Sequence, residues 1–403
     1  VDDSPLIGGD FNPHNIDGVY HGRVSLRECV EQSYNVPAVK IMNSVGVENA
    51  TEIANRLGLN LKNENLSSAL GNTTNGVSFT ELLSGYQTLA NSGKATTPKF
   101  VKSIRDRSGK IIYFDNSDKY NYRPQAIGTD TAYIMTDILC GVSKVGTGKK
   151  LKSLPFQIAS KTGTTERENA KTNTDATFIS YTTDTVLLVW VGNADMKAEN
   201  DLPKGTVGGG ALGFITRDIY RELTGNNNTP TNFTRPKNVV ELRIDTDDLS
   251  NGDIMVANPN TPDANTKKAL FSARYKPTEV STNYLSAVAP KIDGQISNGT
   301  GEIWFTARPH QIYEIYKNEV LQEVIANKNG EYRYIDKYPD GENAYTVTAK
   351  FADKSAVSNE LKLYVSHLNS ANARKSQSAN AQNNVGGTRT LPKTRPQNVP
   401  WYF

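Results

Sequence analysis

Apolar positions near the amino end of the chain fall at helical spacing. Ser25-Leu26-Arg27-Glu28 has the form of a capping box, so a helix opens there. It must yield near Pro37, which lacks a backbone donor and disfavours a helical residue before it. Pro37 suits the first turn of a second helix, VPAVKIMNSVG, which stops near Gly46. Ser33-Tyr34-Asn35 therefore falls at a joint between two helices, where side chains can project into a cleft. Further helices are expected at Ala50–Leu57, Phe79–Ser92, Thr129–Val142 and Leu212–Leu223. The period then changes to two. Ala176–Tyr181 and Thr185–Gly192 read as strands joined by the turn Thr182-Thr183-Asp184, with Trp190 in the strand core. Phe156–Thr164 reads as a third strand of the same sheet. Residues 1–225 are thus expected to form an α+β domain, an antiparallel sheet flanked by helices.

The pattern changes twice more. Residues 226–285 are rich in Asn, Asp, Thr and Pro and read as an extended linker with short strands such as Val239–Ile244. Over 286–366, the runs IWFTA, YEIYKN, EYRYID, AYTVTAKF and LKLYV alternate with Gly, Asn and Asp, which predicts a small C-terminal β-sandwich. Residues 367–403 hold Arg374, Lys375, Arg389, Lys393 and Arg395 but no acid, and too little apolar surface to order themselves. A flexible basic tail is expected, with weak docking on an anionic polymer as its alternative use.

Composition narrows the classes. A net charge of +3 over 403 residues gives no argument for nucleic acid. The histidines His14, His21, His310 and His367 lie far apart, and Cys29 and Cys140 form no C-x-x-C, so no metal signature appears. Both cysteines sit in apolar, helix-like contexts and read as buried free thiols. The longest apolar run, Val186–Val191, is too short to span a bilayer. No cofactor motif stands up. VGTGKK lacks the glycine that a phosphate loop needs, and GGGALG at Gly208–Gly213 does not close a strand of a βαβ unit.

The chemistry gathers around Lys161-Thr162-Gly163. K-T-G is one of three parts of a serine acyl-transfer site, with S-x-x-K and an S-x-N-type triplet. A serine hydroxyl becomes nucleophilic when a nearby base takes its proton. The triplet supplies a relay hydroxyl and an amide. The K-T-G strand edge supplies positive charge, hydroxyls for a carboxylate and a backbone N–H for an oxyanion. Its glycine lets substrate approach the backbone closely. S-x-N occurs at Ser33/Asn35, Ser281/Asn283, Ser370/Asn372 and Ser378/Asn380, but only the first lies at a helix joint upstream of K-T-G.

Five segments occur in one order: VSLRECVEQSYNVPAVK, ALGNTTNGVSFTELLSGYQTLANSGK, TAYIMTDIL with GTGKK, ASKTGTT, and DATFISYTTDTVLLVWVGN. On these, residues 1–225 resemble the transpeptidase domain of bifunctional (class A) penicillin-binding proteins, which has a serine β-lactamase-like fold. Residues 286–366 resemble the fibronectin-type or immunoglobulin-like appendages of some Gram-positive members. The resemblance implies a D,D-transpeptidase that cross-links peptidoglycan stem peptides at D-Ala-D-Ala and is acylated by β-lactam antibiotics. It assigns Ser33 as the proton-relay hydroxyl, Lys161 as the cationic partner and Asn35 as the substrate-orienting amide. Thr162, Gly163 and Thr164 would form the substrate-binding edge. Thr162 and Thr164 would bind the substrate carboxylate, and the Thr164 N–H would enter the oxyanion hole. It implies no cofactor and no metal.

The sequence departs from that pattern at one point. No serine has a lysine three residues on, so the S-x-x-K nucleophile is not in this chain. The expectation is that it lies upstream of Val1, with a glycosyltransferase domain and an N-terminal membrane anchor, on the outer face of a bacterial cytoplasmic membrane. The chain alone would then be inactive. The competing readings are a D,D-carboxypeptidase or β-lactamase, and a non-enzymatic wall-binding or sensor protein.

Overall fold

The computed structural model describes all residues except 7–10, 97, 116–123, 168–171, 194–196, 204, 226–227, 327, 352–353 and 366–403. The basic tail of the sequence reading lies outside the described residues. Among the described residues two compact units emerge, one formed by 1–240 with 270–276, the other by 241–269 and 277–365.

In the first unit, the short strands β1 (Asp2–Asp3) and β2 (Gly22–Arg23) pair antiparallel. Helix α1 (Leu26–Gln32) opens at Ser25, whose hydroxyl accepts the Glu28 N–H, and it ends at Ser33. Helices α2 (Asn35–Val45) and α3 (Val47–Arg56) follow, separated by Gly46 at φ 94. Helix α4 (Phe79–Ala90) carries a full capping box between Ser78 and Glu81. A hairpin of β3 (Ser103–Arg105) and β4 (Ile111–Phe114) precedes α5 (Thr129–Lys144), the most deeply buried helix of the unit.

The central sheet follows. Strands β5 (Ala159–Glu166), β6 (Asn173–Tyr181) and β7 (Val186–Gly192) lie in that order, all antiparallel. Period-two alternation divides β6 between the sheet's faces. Ala176 and Phe178 pack with Leu212 and Tyr220 of α6 (Ala211–Thr224). On the opposite face, Tyr181 packs with Leu139, Cys140 and Val142 of α5, and its hydroxyl meets that of Thr136 at 2.9 Å. The sheet is thus covered by helices on both faces, as the α+β reading expects. Cys29 and Cys140 are buried free thiols.

Trp190 departs from its expected place in a strand core. It lies near the end of β7, an edge strand, and stays 36% exposed, whereas Leu187 and Val189 of the same strand pack against the core. Its indole N–H donates to Asp175 Oδ1 at 2.9 Å, and its ring stands 5.4 Å from that of Phe79.

The stretch 226–285 holds strands β8 (Val239–Asp245) and β9 (Thr266–Ser272) and the six-residue helix α7 (Thr246–Asn251). Val239 is buried beside Ile134 and Ile138 of α5. In the second unit, β10 (Asp293–Ser297), β11 (Thr300–Ala307) and β14 (Gly330–Asp336) form one antiparallel sheet, in the order β10-β11-β14. Strands β12 (Ile312–Lys317), β13 (Val320–Ala326), β15 (Gly341–Phe351), β16 (Lys354–Val357) and β17 (Leu361–Val365) form the other. Ile303, Phe305 and Ala307 from the first sheet share one core with Tyr313, Ile315, Tyr345, Val347 and Ala349 from the second.

Candidate active site

Two local structures meet at the site. The first is the joint between α1 and α2. Ser33 caps α1 in the left-handed region at φ 62, ψ 43, with its N–H on the Val30 carbonyl. A side chain in that region costs on the order of 1 kcal/mol or more, so surrounding contacts must hold it. This twist lets the chain restart as α2 two residues later while the Ser33 side chain faces the sheet.

The second is β5. Lys161 pairs with Ile179 of β6, Thr162 with Phe178, Gly163 with Thr177 and Thr164 with Ala176. Paired residues share a face, so the lysine points to the α5 side and the two threonines to the α6 side. Lys161 Nζ reaches Ser33 Oγ at 2.6 Å across 128 residues of sequence, and also donates to the Thr162 carbonyl at 3.0 Å. Among the described residues no carboxylate pairs with it. Burial alone lowers its pKa from 10.5 to about 8, because desolvation disfavours the charged form.

The threonines are met by two glycine-rich turns. Thr162 Oγ1 lies 2.8 Å from Thr147 Oγ1, in the Gly146-Thr147-Gly148 turn that follows α5. Thr147 N–H in turn donates to the Glu31 carbonyl of α1, so this turn links both halves of the site. Thr164 Oγ1 accepts the Gly208 N–H at 3.2 Å. A Cβ on Gly208 would stand 2.4 Å from the Thr177 carbonyl and 2.6 Å from that of Gly163, so only glycine allows this turn to lie on the strand. A Cβ on Gly163 would meet nothing nearer than Thr177 Cβ at 3.5 Å, so the packing here does not itself require a glycine at Gly163, which is exposed.

The structure therefore brings Ser33 and Lys161 into contact and sets Thr162, Gly163 and Thr164 beside them on one strand. The Asn35 side chain is turned elsewhere, donating from Nδ2 to the His14 carbonyl at 2.7 Å. Sequence reasoning missed Thr147 and Gly208, although each lies in a glycine cluster that it set aside as a nucleotide motif. It also missed His14 and Asn15, which carry no signal beyond a turn-forming Asn-Pro-His-Asn run.

The family model described as penicillin binding protein transpeptidase domain matches residues 1–219, which include both halves of this site. Penicillin-binding protein 1F of Bacillus subtilis (strain 168) is 32% identical over 235 residues, 58% of this chain and 31% of that protein. Penicillin-binding protein 1A/1B of the same organism is 28% identical over 298 residues, 70% of this chain and 31% of that one. The chain thus spans under a third of the length of these curated relatives. The crystal structure of penicillin-binding protein 1A from Haemophilus influenzae shares the fold, with a TM-score of 0.58 at 22% identity over 70% of this chain and 45% of that chain.

Proposed function

The chain belongs to the penicillin-binding protein transpeptidase family, as a homologue of its class A members, and on that premise we propose that it is the acyl-transfer portion of a peptidoglycan D,D-transpeptidase. The observation that carries this reading is the 2.6 Å contact between Lys161 Nζ and Ser33 Oγ, made by a lysine whose burial brings its pKa to about 8. Such a lysine holds a proton at neutral pH yet gives it up readily, which is what a relay partner requires.

Ser33 is then the relay hydroxyl and Lys161 its cationic partner. Asn35 leaves the His14 carbonyl to orient the substrate amide. Thr162 and Thr164, whose hydroxyls on the α6 face now meet Thr147 and Gly208, leave those partners to hold the terminal carboxylate at the strand edge, the Thr164 N–H joins the oxyanion hole, and the open face of Gly163 admits the peptide. The nucleophile is an S-x-x-K serine carried by the intact protein. Its oxygen bonds to the carbonyl carbon of the penultimate D-alanine, and the C–N bond to the last D-alanine breaks. The serine's proton ends on the departing amine, delivered by way of Ser33. An amine of a neighbouring stem peptide then displaces the serine, forming the cross-link amide and restoring the hydroxyl. β-Lactams acylate the same serine.

The wider proposal places the protein on the outer face of a bacterial cytoplasmic membrane, with a glycosyltransferase domain and an anchoring helix preceding this portion. No helix among the described residues is long and apolar enough to cross a membrane. The proposed domains are 1–225 for acyl transfer, 226–285 as linker, 286–366 as a fibronectin-type or immunoglobulin-like module, and 367–403 as a basic tail for anionic wall polymers. The test is the mass of the full gene product before and after incubation with a penicillin. One adduct of penicillin mass is expected. Its absence from folded, full-length protein overturns the enzymatic reading in favour of a wall-binding one. An acyl group passed to water but never to an added amine turns it into a D,D-carboxypeptidase.

A further inference from the structure

Helix α2 begins without a cap of its own. Its N-cap, Tyr34, makes no side-chain hydrogen bond to the first turn. Those N–H groups are orphans of any helix start and need an acceptor. They find one 20 residues upstream, where Asn15 Oδ1 accepts the Asn35 N–H at 2.9 Å and the Val36 N–H at 3.3 Å. The other end of the same amide is equally committed. Asn15 Nδ2 donates to Asp3 Oδ2 at 2.7 Å and to the Val19 carbonyl at 2.8 Å. Asn15 is 5% exposed and Asp3 fully buried. Asp3 Oδ2 accepts the His21 N–H as well, while Asp3 Oδ1 has no partner among the described residues.

This chain of bonds has a direction. A carboxylate can only accept, so Asp3 forces the Asn15 amide to present its nitrogen to Asp3 and its oxygen to α2. Neighbouring His14 offers its carbonyl to the Asn35 side chain. Asn15 thus grips Asn35 by its backbone, at the point where Ser33 must be held in its left-handed conformation, while the His14 carbonyl holds the Asn35 amide until substrate takes it. Lys161 approaches Ser33 from across the site but offers no geometric restraint on α2.

We propose that Asn15, oriented by the buried Asp3, is the positioning residue that sets the start of α2 and thereby holds Ser33 on Lys161. Asn15 touches no substrate in this scheme; it acts through α2. The inference rests on the reading of Ser33 and Lys161 as a relay, and predicts that catalytic geometry depends on two side chains in the segment before α1.

The test uses Asn15→Asp, Asp3→Asn and the double variant in the full-length protein. Asn15→Asp keeps an acceptor for α2 but loses the donor to Asp3 and sets two carboxylates together. The double variant reverses the pair, with an amide at position 3 donating to a carboxylate at position 15. Two readouts are needed: the rate of acylation by penicillin and the titration of the Lys161 side chain by NMR. Asn15→Asp is expected to slow acylation by on the order of 10- to 100-fold, the scale of a misplacement of about an ångström. It is also expected to move the Lys161 pKa up from about 8 as water enters beside Ser33. The double variant should restore most of both, short of the bond to the Val19 carbonyl that a carboxylate at position 15 cannot make.

A folded Asn15→Asp protein with unchanged rate and unchanged lysine titration overturns the proposal. So does a double variant no better than Asn15→Asp. A lowered melting temperature alone, with the lysine titration unmoved, marks a purely structural role and also overturns it. If Asn15→Asp does not fold, Asp3→Asn and the double variant decide by the same two readouts. If wild-type protein is never acylated, the transpeptidase reading fails, while the Lys161 titration still judges the positioning role.

Discussion

The strand that carries Lys161 and the joint that carries Ser33 reach the same site by different physics. Strand β5 is tied to β6 from Ala159 to Glu166, so its side chains take their faces from the ladder. The α1–α2 joint has no ladder. It rests on a left-handed residue, on the Asn15 side chain, which accepts the Asn35 N–H, and on the His14 carbonyl, which accepts from the Asn35 amide. A substitution in β5 therefore tests chemistry with the geometry preserved. A substitution at the joint disturbs geometry and chemistry together unless it respects the backbone.

The largest effect is expected at Lys161. Lys161→Met in the full-length protein should lower the penicillin acylation rate by roughly 10²–10⁴-fold, the range of a lost proton-transfer partner. Its stability should move the other way. The folded pKa of Lys161 is depressed from 10.5 to about 8, so the unfolded chain binds more protons between those values. Wild-type stability should therefore rise with pH across that window, while below about 8 the buried charge is a constant penalty. Lys161→Met should be more stable than wild type at pH 7, and the gap should close as pH approaches 10.5. Melting curves across that range check the sign; a gap independent of pH would show that Lys161 is not desolvated.

Ser33 separates the two halves more sharply. Ser33→Gly removes the hydroxyl but welcomes the left-handed conformation, since glycine carries no Cβ penalty. Acylation should fall by about 10²-fold, while stability should hold or rise. Ser33→Ala should lose activity to a similar degree and be the less stable of the two, by about 1 kcal/mol. Equal melting temperatures for the pair would remove backbone strain from the account of this joint.

How far the sequence revealed these features follows from the same contrast. The N-cap at Ser25, the helix restart at Pro37 and the hairpin of β6 and β7 are local rules, and each was legible in the residues, although only the Ser25 half of the expected capping box forms. The meeting of Ser33 and Lys161 was legible because motifs name both. The clamp from Asn15 was not, because a hydrogen bond between residues 20 apart leaves no periodic trace. Thr147 and Gly208 were hidden by a different cause. Their glycines suggest phosphate loops to a motif search, whereas the structure uses the missing Cβ atoms for close packing against β5. Trp190 was placed in a core because its neighbours in the run from Val186 to Val191 are apolar, and only the packing shows that Leu187 and Val189 face the core while Trp190 stays part-exposed.

Two glycines on facing segments give the next comparison. A Cβ at Gly163 would make only an ordinary contact with Thr177, so Gly163→Ala should fold normally and lose acylation by blocking substrate approach. A Cβ at Gly208 would press on two backbone carbonyls that cannot rotate away. Gly208→Ala should lower stability by about 1–3 kcal/mol, the usual cost of overpacking. Thermal melts alongside acylation rates distinguish the two; matched losses of stability would place Gly163 in the packing rather than at the substrate face.

The smallest effect on acylation is expected in the second unit, where a polar network lies inside an apolar core and a substitution shows in stability alone. The Tyr345 hydroxyl, fully buried, donates to Asp336 Oδ2 at 2.6 Å, and Lys317 Nζ stands 2.7 Å from the same oxygen. Tyr345→Phe keeps the ring and removes one of the donors that satisfy a buried carboxylate. The loss should be about 1–2 kcal/mol, because Lys317 still neutralises the charge and only one hydrogen bond is gone. Lys317→Met should cost more, since it leaves a buried carboxylate without its counter-charge. That order, tyrosine below lysine, follows from charge rather than from the number of bonds. Denaturant melts of the two variants check it, and the reverse order would mean that the Tyr345 hydroxyl carries the network.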